Sequence, residues 1–90
     1  PAVVLDASDK WSLYPNPAIS KLRVERSELS EQPTQLFIVN SLGMVVGQAW
    51  LGAGEAQAEL DVAQLPSGLY TIRIRTDENT TEVLPFVRQE

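Results

Sequence analysis

The sequence predicts an all-β domain, an Ig-like sandwich of about seven short antiparallel strands in Greek-key order. Apolar residues recur with a period of two wherever a period can be read, and no segment carries a sustained 3.6-residue stripe. Gly, Pro and Asn separate the apolar runs at intervals of about 8–12 residues, which is typical of a small sandwich. A six-stranded barrel is the alternative. Ninety residues are enough for one domain.

The first ten residues differ from the rest, and we expect them to be a linker or an edge strand from a parent protein. Ala2-Val3-Val4-Leu5 is apolar, and residues 6–10 have the composition of a turn. The chain begins at Pro1, without an initiator Met or a charged-then-apolar leader. We therefore expect it to be excised from a longer polypeptide.

A rigid kink separates the first two predicted strands. Trp11–Tyr14 is a short strand that ends at Pro15-Asn16-Pro17. Each proline fixes its own φ, lacks a donor and favours an extended conformation in the residue before it. The run Lys21–Arg26 then alternates, with Leu22 and Val24 predicted inward and the charged residues outward, as in a half-solvated antiparallel strand.

The middle of the chain predicts a hairpin. Leu36–Val39 is apolar on both faces, which indicates a central strand. Asn40–Gly43 has the residues that a tight turn with left-handed positions needs. The returning strand begins at Met44 and extends to Trp50, and Gly47 within it suggests a bulge.

Three further strands complete the prediction. Ala58–Val62 alternates and leads into a turn at Gln64–Gly68. In the next strand, Leu69–Thr76, one face carries Tyr70, Ile72 and Ile74, and the other carries Thr71, Arg73 and Arg75. A turn at Asp77–Thr80 precedes the last strand, Thr81–Val87. Because Pro85 cannot donate to a ladder, this strand lies at a sheet edge or breaks there.

The composition excludes most catalytic and metal chemistry. The chain has no Cys and no His, so it offers no disulfide, thiolate or imidazole metal ligand, and no nucleophilic triad of the usual kind. Paired carboxylates remain (Glu55, Glu59, Asp61, Asp77), but Asp61 stands where a side chain caps a turn. No Asp-x-Asp-x-Asp run suggests calcium. We expect no enzyme activity, metal or cofactor.

Charge and hydropathy exclude two classes of partner. The net charge is −5, and no Lys/Arg cluster is long enough to follow a phosphate backbone, so we expect no nucleic acid partner. The apolar runs are far shorter than the roughly 20 residues of a membrane span. Arg73 and Arg75 share one outer face, which is either a solvated face or a patch that binds a partner.

The two tryptophans leave a second function open. Trp11 and Trp50 are predicted to fill the core or the space between the sheets. If they instead formed a stacking platform for sugars, the domain would be an Ig-like adhesive or carbohydrate-binding module of a secreted protein.

The last strand is the candidate recognition element. An edge strand has unpaired backbone groups and can be bound by strand addition, with apolar side chains as anchors. The candidate recognition strand consists of Val83, Leu84, Pro85, Phe86, Val87 and Arg88.

Four motifs occur in order over nearly the whole chain. They are Leu13–Ala18 with Leu22 and Val24 behind it, Leu36–Val46, Leu60–Tyr70, and a terminal strand that ends at Arg88. As an ordered set they resemble the C-terminal sorting domain of cargo of the type IX (Por) secretion system. The residues that match the family motifs are Tyr14, Pro15, Asn16, Pro17, Gly43, Asp61, Leu65, Gly68 and Tyr70.

This resemblance implies a secretion address on an Ig-like fold, with residues 11–90 as the C-terminal sorting domain. Members are exported through the periplasm and recognised by the outer-membrane translocation apparatus. A sortase then cuts upstream of the domain, here in or before residues 1–10, and the passenger is attached to the cell surface or secreted. Some components of the apparatus retain the domain. The chain departs from the family in two places, with Asn40 in place of the more usual Asp and with Pro85, one Arg and Gln89-Glu90 in place of a Lys-rich end.

Overall fold

The structure, a computed structural model, describes residues 11–27, 31–75 and 81–90. Within these ranges the chain forms seven strands and no helix. The strands are β1 (Trp11–Tyr14), β2 (Lys21–Arg26), β3 (Thr34–Val39), β4 (Val45–Leu51), β5 (Gln57–Asp61), β6 (Gly68–Arg75) and β7 (Thr81–Arg88). The predicted linker at residues 1–10 and the predicted turn at 77–80 lie outside the described residues.

The strands form two separate antiparallel sheets. One sheet has the order β1-β2-β5 and the other the order β4-β3-β6-β7. A single apolar core contains residues from both sheets, so the sheets pack face to face. This arrangement confirms the Ig-like sandwich. The barrel alternative is wrong, because the strands form two separate sheets instead of one closed sheet.

The period of two places the core residues as the sequence predicted. Leu22 and Val24 of β2 are fully buried. Ile72 of β6 is also fully buried, whereas the next residue, Arg73, is exposed. Successive side chains of a strand point to opposite faces, so each strand contributes every second residue to the core. The core also contains Trp11, Ala18, Leu36, Ile38, Leu51, Leu60, Val62, Tyr70, Ile74, Leu84 and Phe86.

Two predicted side-chain directions are wrong. Arg26 was predicted to point outward with the other charges of β2, but it is only 7% exposed. It shares the inward parity of Leu22 and Val24, and its guanidinium lies 5.9 Å from the ring centre of Trp11. Burial lowers the pKa of Arg26. Its donors reach two loop carbonyls, Glu55 O (2.8 Å) and Gly52 O (3.2 Å), and the hydroxyl Thr34 Oγ1 at the start of β3 (2.9 Å).

Trp50 was predicted to fill the core, yet it is 58% exposed. Its register explains this, because the inward positions of β4 are Gly47, Ala49 and Leu51, opposite Ile38, Leu36 and Thr34. Trp50 therefore lies on the outer face of the four-stranded sheet. Trp11 is buried as predicted.

The β3–β4 hairpin confirms the predicted turn and the bulge. Asn40 Oδ1 accepts the N–H groups of Leu42 (2.9 Å) and Met44 (3.0 Å), and Gly43 has φ +86°, which favours glycine. The register shifts between Ile38 and Val39, directly opposite Gly47. A Cβ on Gly47 would lie 3.0 Å from Ile38 Cδ1, so a larger residue at the bulge would have to displace that methyl group.

Candidate recognition site

The family motifs of the sequence meet at one end of the sandwich. In the four-stranded sheet Val39 is aligned with Thr71, and Gly68 with Arg88. The end of β3, the start of β6 and the end of β7 therefore lie side by side. We call this the motif end; it holds Pro15–Ala18, Asn40–Gly43, Leu65–Tyr70 and Arg88.

The Pro-Asn-Pro segment, taken as residues Pro15–Ala18, covers the outer edge of β7. Ala18 is fully buried and forms a parallel bridge with Arg88. Its N–H donates to Val87 O (2.7 Å), and its carbonyl accepts the N–H of Gln89 (2.8 Å). The Asn16 side chain adds a third bond, because its Oδ1 accepts the N–H of Val87 at 2.9 Å. The first motif of the chain thus binds the last strand, and both X–Pro peptide bonds within it are cis.

These bonds also explain how β7 accommodates Pro85. The backbone groups of Val87 point away from β6, and alternation along a strand gives Pro85 the same direction. The missing N–H of Pro85 therefore falls on the edge side, and the ladder to β6 runs unbroken from Thr81 to Arg88. The edge position of the last strand is confirmed, and the proline does not break it.

The turn before β6 is held by its own polar groups. Asp61 Oδ1 accepts the N–H of Ala63 (3.0 Å), which confirms the capping role predicted for this carboxylate. Leu65 is half-buried against the core, and its N–H donates to Val62 O at 3.1 Å. Gly68 has φ +153°, a backbone conformation that other residues rarely adopt.

Tyr70 joins this turn to the last strand. Its hydroxyl donates to Pro66 O, four residues upstream, which is the arrangement of the tyrosine corner of Ig-like domains. Its ring stacks on Phe86 of β7, with ring centres 5.5 Å apart and an interplanar angle of 21°. The Leu-Pro-Ser-Gly-Leu-Tyr run therefore fixes both the corner and the terminal strand.

Arg88 lies inside the fold. It is 6% exposed, and its Nε and Nη2 donate to Val62 O (2.8 Å) and Ala63 O (2.7 Å). Its Nη1 is buried and has no hydrogen-bond partner. The basic residue that ends the candidate recognition strand thus joins β7 to the turn that follows β5.

The candidate recognition strand has two different sides. Leu84, Phe86 and Arg88 point into the sandwich, whereas Val83 is 49% exposed, Val87 is 40% exposed, and Pro85 is exposed. A partner that met the strand at its outer face would contact the second set.

Tyr14 lies at the motif end, on the outer face of β1. Its hydroxyl donates to Glu25 Oε2 of β2. This hydrogen bond to a carboxylate is the main reason why the pKa of Tyr14 is raised above its usual value. Tyr14 therefore ties β1 to β2 at the point where the chain turns into the Pro-Asn-Pro segment.

The two tryptophans do not share a surface. Trp11 is buried in the three-stranded sheet, and Trp50 lies on the outer face of the other sheet. A stacking platform built from both indoles is not present.

Sequence reasoning did not predict that two arginines point inward and hold loops in place: Arg26, which was predicted to point outward, and Arg88, which was named only as part of the candidate recognition strand. The signal was available in both cases, because Arg26 has the parity of Leu22 and Val24, and Arg88 has the parity of Leu84 and Phe86. Within residues 11–27, 31–75 and 81–90, no group of three acidic side chains is placed to hold a metal ion. No helix in those ranges is long and apolar enough to cross a membrane.

Comparison with known families agrees with the motif set. The family described as the secretion system C-terminal sorting domain matches residues 12–84. The match spans most of the chain. No curated protein matches the chain significantly. The chain therefore belongs to the C-terminal sorting domain family of the type IX secretion system.

Proposed function

We propose that this domain directs its parent protein across the outer membrane by binding the translocation apparatus with the exposed side of β7. The observation that carries the proposal is the family match over residues 12–84, since members of this family are sorting signals. Such a signal implies export and a cell-surface or secreted fate. Nothing in the site suggests catalysis, and recognition needs only an accessible, well-fixed surface.

The construction of β7 supports a role in recognition. Its inner side chains fix the strand, because Phe86 stacks on Tyr70 and Arg88 holds two loop carbonyls. A strand held in this way presents Val83, Pro85 and Val87 at defined positions, which lowers the entropy that binding must overcome.

The edge of β7 is open only in part. Asn16 and Ala18 occupy the backbone groups of Val87, whereas no such contact covers Val83 within the described residues. Strand addition at this edge would therefore be limited to the segment from Thr81 to Pro85.

The proposal also includes proteolytic cleavage of the parent protein upstream of this domain. A sortase would cut in or before residues 1–10, where Ala2, Ala7 and Ser8 are small enough to enter an active site. The passenger would then be attached to the cell surface. A retained domain, as in some components of the apparatus, is the alternative outcome.

Deleting residues from Thr81 onward in the parent protein tests the proposal. We expect the parent to accumulate in the periplasm, and cell-surface immunodetection measures its export. The control is Ser12→Ala, an exposed change on β1 that leaves the proposed surface intact and should export normally. Normal surface display of the truncated parent would contradict the proposal. Mass spectrometry of the intact parent from the cell surface determines whether residues 11–90 are still attached.

A further inference from the structure

The outward-pointing basic residues of the two sheets have different neighbours. On the outer face of the three-stranded sheet, Lys21 Nζ lies 3.9 Å from Asp61 Oδ2, and Arg23 Nη2 lies 3.6 Å from Glu59 Oε2. Both pairs sit directly opposite each other on β2 and β5. Each outward cation of this sheet thus has a carboxylate beside it.

The outer face of the four-stranded sheet carries cations without such partners. Arg73 and Arg75 are exposed on β6, and neither forms a hydrogen bond or ion pair with a described residue. The other outward positions of the four strands carry no acidic residue in the part of the chain that the structure describes. These positions include Gln35, Phe37, Gln48, Trp50, Leu69, Thr71, Val83, Pro85 and Val87.

The two arginines lie among apolar side chains. Arg73 is aligned between Phe37 and Val83, and Leu69 is aligned with Val87. The exposed fractions of Leu69 (57%), Val83 (49%) and Val87 (40%) are large for residues on adjacent strands. Single exposed apolar residues are ordinary on a protein surface, but a contiguous set indicates an interaction site.

We propose that this outer face docks a protein partner that presents two neighbouring carboxylates next to apolar side chains. The arginine face is defined as Arg73, Arg75 and the apolar residues Leu69, Val83 and Val87. Residues two apart on one side of a strand lie about 6.7 Å apart. Carboxylates at positions i and i+2 of a strand, or i and i+4 of a helix, match that spacing. Guanidinium groups bind carboxylates in a bidentate manner, and arginine is enriched where interface energy concentrates.

Charge favours a protein as the partner. Attraction to an anionic lipid surface takes a cluster of about four to eight cations. This face has two, in a chain with a net charge of −5. A second copy of the chain is a poor fit, because the carboxylates on its other outer face are already engaged. Asp61 and Glu59 pair with Lys21 and Arg23, and Glu25 accepts the hydroxyl of Tyr14.

This inference rests on the proposed function, because Val83 and Val87 belong both to the exposed side of β7 and to the arginine face. It adds the chemistry of the partner and two residues outside the family motifs. Two experiments test it, and they separate its failure from a failure of the proposed function.

The first experiment reverses the charges in the parent protein. For Arg73→Glu/Arg75→Glu we expect at least a tenfold loss of surface display, whereas Arg73→Lys/Arg75→Lys retains most of it. The matched control is Lys21→Glu/Arg23→Glu on the opposite sheet, which should export normally. Circular dichroism melting of each purified 90-residue chain checks that the variants fold.

The outcomes are distinct. If truncation at Thr81 blocks export but the Arg73→Glu/Arg75→Glu variant exports normally, the inference fails and the proposed function stands. If the truncated parent also reaches the surface, the proposed function itself fails. Equal losses from the two double charge reversals would overturn the inference, because net charge rather than the arginine face would then decide export.

The second experiment identifies the partner group. A carbodiimide joins a lysine amine to a carboxylate in contact with it, so Arg73→Lys/Arg75→Lys should form an amide with the partner in treated cells. The wild type, whose lysines are Lys10 and Lys21, and Arg23→Lys are the controls. Mass spectrometry that maps a link from position 73 or 75 to another protein supports the inference. A link to a second copy of the chain, or no link at either position, overturns it.

Discussion

Arg26 and Arg88 perform the same task at opposite ends of the sandwich. Each enters the core side of its strand and donates to backbone carbonyls of a loop, Glu55 and Gly52 for Arg26 and Val62 and Ala63 for Arg88. A buried cation is tolerated where its donors find acceptors, and a carbonyl in a loop has no ladder partner of its own. The two arginines therefore stabilise connections that the sheets leave without hydrogen bonds.

Arg88→Met should destabilise the domain although it keeps most of the side-chain volume. The carbonyl of Ala63 would lose a donor and that of Val62 would keep only the N–H of Leu65, and a hydrogen bond to a charged group contributes about 1.5–3 kcal/mol. Urea denaturation measures the free energy of unfolding. Arg75→Met is the control, since Arg75 is exposed, and a surface change of this kind stays within about 0.5 kcal/mol. Equal effects of the two substitutions would show that the carbonyl contacts of Arg88 are not what stabilises the fold.

The Tyr14–Glu25 contact should appear in a pH titration. The carboxylate favours the protonated phenol, so the pKa of Tyr14 is raised in the folded chain. The stability that this bond contributes is therefore present below the ordinary tyrosine pKa of about 10 and is lost as the pH rises through the higher, folded value. In Glu25→Gln the pKa of Tyr14 should fall toward its ordinary value. Phenolate absorbance measures the titration, and Tyr70→Phe in both proteins removes the signal of the second tyrosine. An unchanged titration would mean that the contact is not made in solution.

At the level of elements, the Pro-Asn-Pro segment acts as a cover for the edge of β7. It supplies two backbone bonds and one side-chain bond to residues 87–89. Exposed edges invite pairing with other chains, and proteins protect them with prolines and covering loops. Here Pro85 and the covering segment protect the same strand.

Asn16→Ala should loosen this cover without unfolding the domain. The N–H of Val87 loses its acceptor, and a hydrogen bond of this kind contributes about 0.5–1.5 kcal/mol. Hydrogen exchange read by NMR should accelerate at Val87 and Gln89 more than at Ile72 in the centre of the sheet. Ser12→Ala, an exposed change on β1, provides the baseline. If exchange accelerates equally at all three amides, the effect is global and the segment is no local cover.

The strands and turns could be predicted from the sequence because their determinants are local. Alternation identifies the inward side of β2 and β6, and Asn40 with Gly43 specifies a tight turn within four residues. The contacts between distant segments could not be predicted. The bond from Asn16 to Val87 joins residues 71 apart in the chain, and that from Arg88 to Val62 joins residues 26 apart.

The wrong prediction for Trp50 has a physical cause as well. Its size and apolarity favour the core, but the bulge beside Gly47 sets the register of β4, and a register fixes every side-chain direction on a strand. The family motifs marked the end of the sandwich where the candidate site lies. Alternation along β6 predicted that Arg73 and Arg75 share an outer face, but it could not show that Val83 and Val87 lie beside them, because that depends on how neighbouring strands align.

At the scale of the whole molecule, two sheets share one core, and strands from both contribute to it. Stability should therefore respond strongly to a change in the centre of either sheet. Ile72 of β6 is fully buried, Leu60 of β5 in the other sheet is buried as well, and both belong to this core.

Ile72→Ala and Leu60→Ala should each cost about 2–5 kcal/mol, because each removes buried methyl groups and leaves a cavity. Chemical denaturation measures the loss, and Val83→Ala on the exposed side of β7 serves as the matched apolar control with a much smaller effect. A neutral result at either core position would contradict the inward directions assigned here.

The bonds between residues 16–18 and residues 87–89 also have a consequence for the order of events during synthesis. A ribosome makes the Pro-Asn-Pro segment roughly seventy residues before its partners exist, so the segment must wait while nearly the whole domain emerges. The contact between the first and last segments of the domain can therefore form only after the whole domain has been synthesised. A parent protein whose synthesis stopped before residues 87–89 would lack these bonds. A prematurely terminated chain would therefore not carry a complete sorting domain.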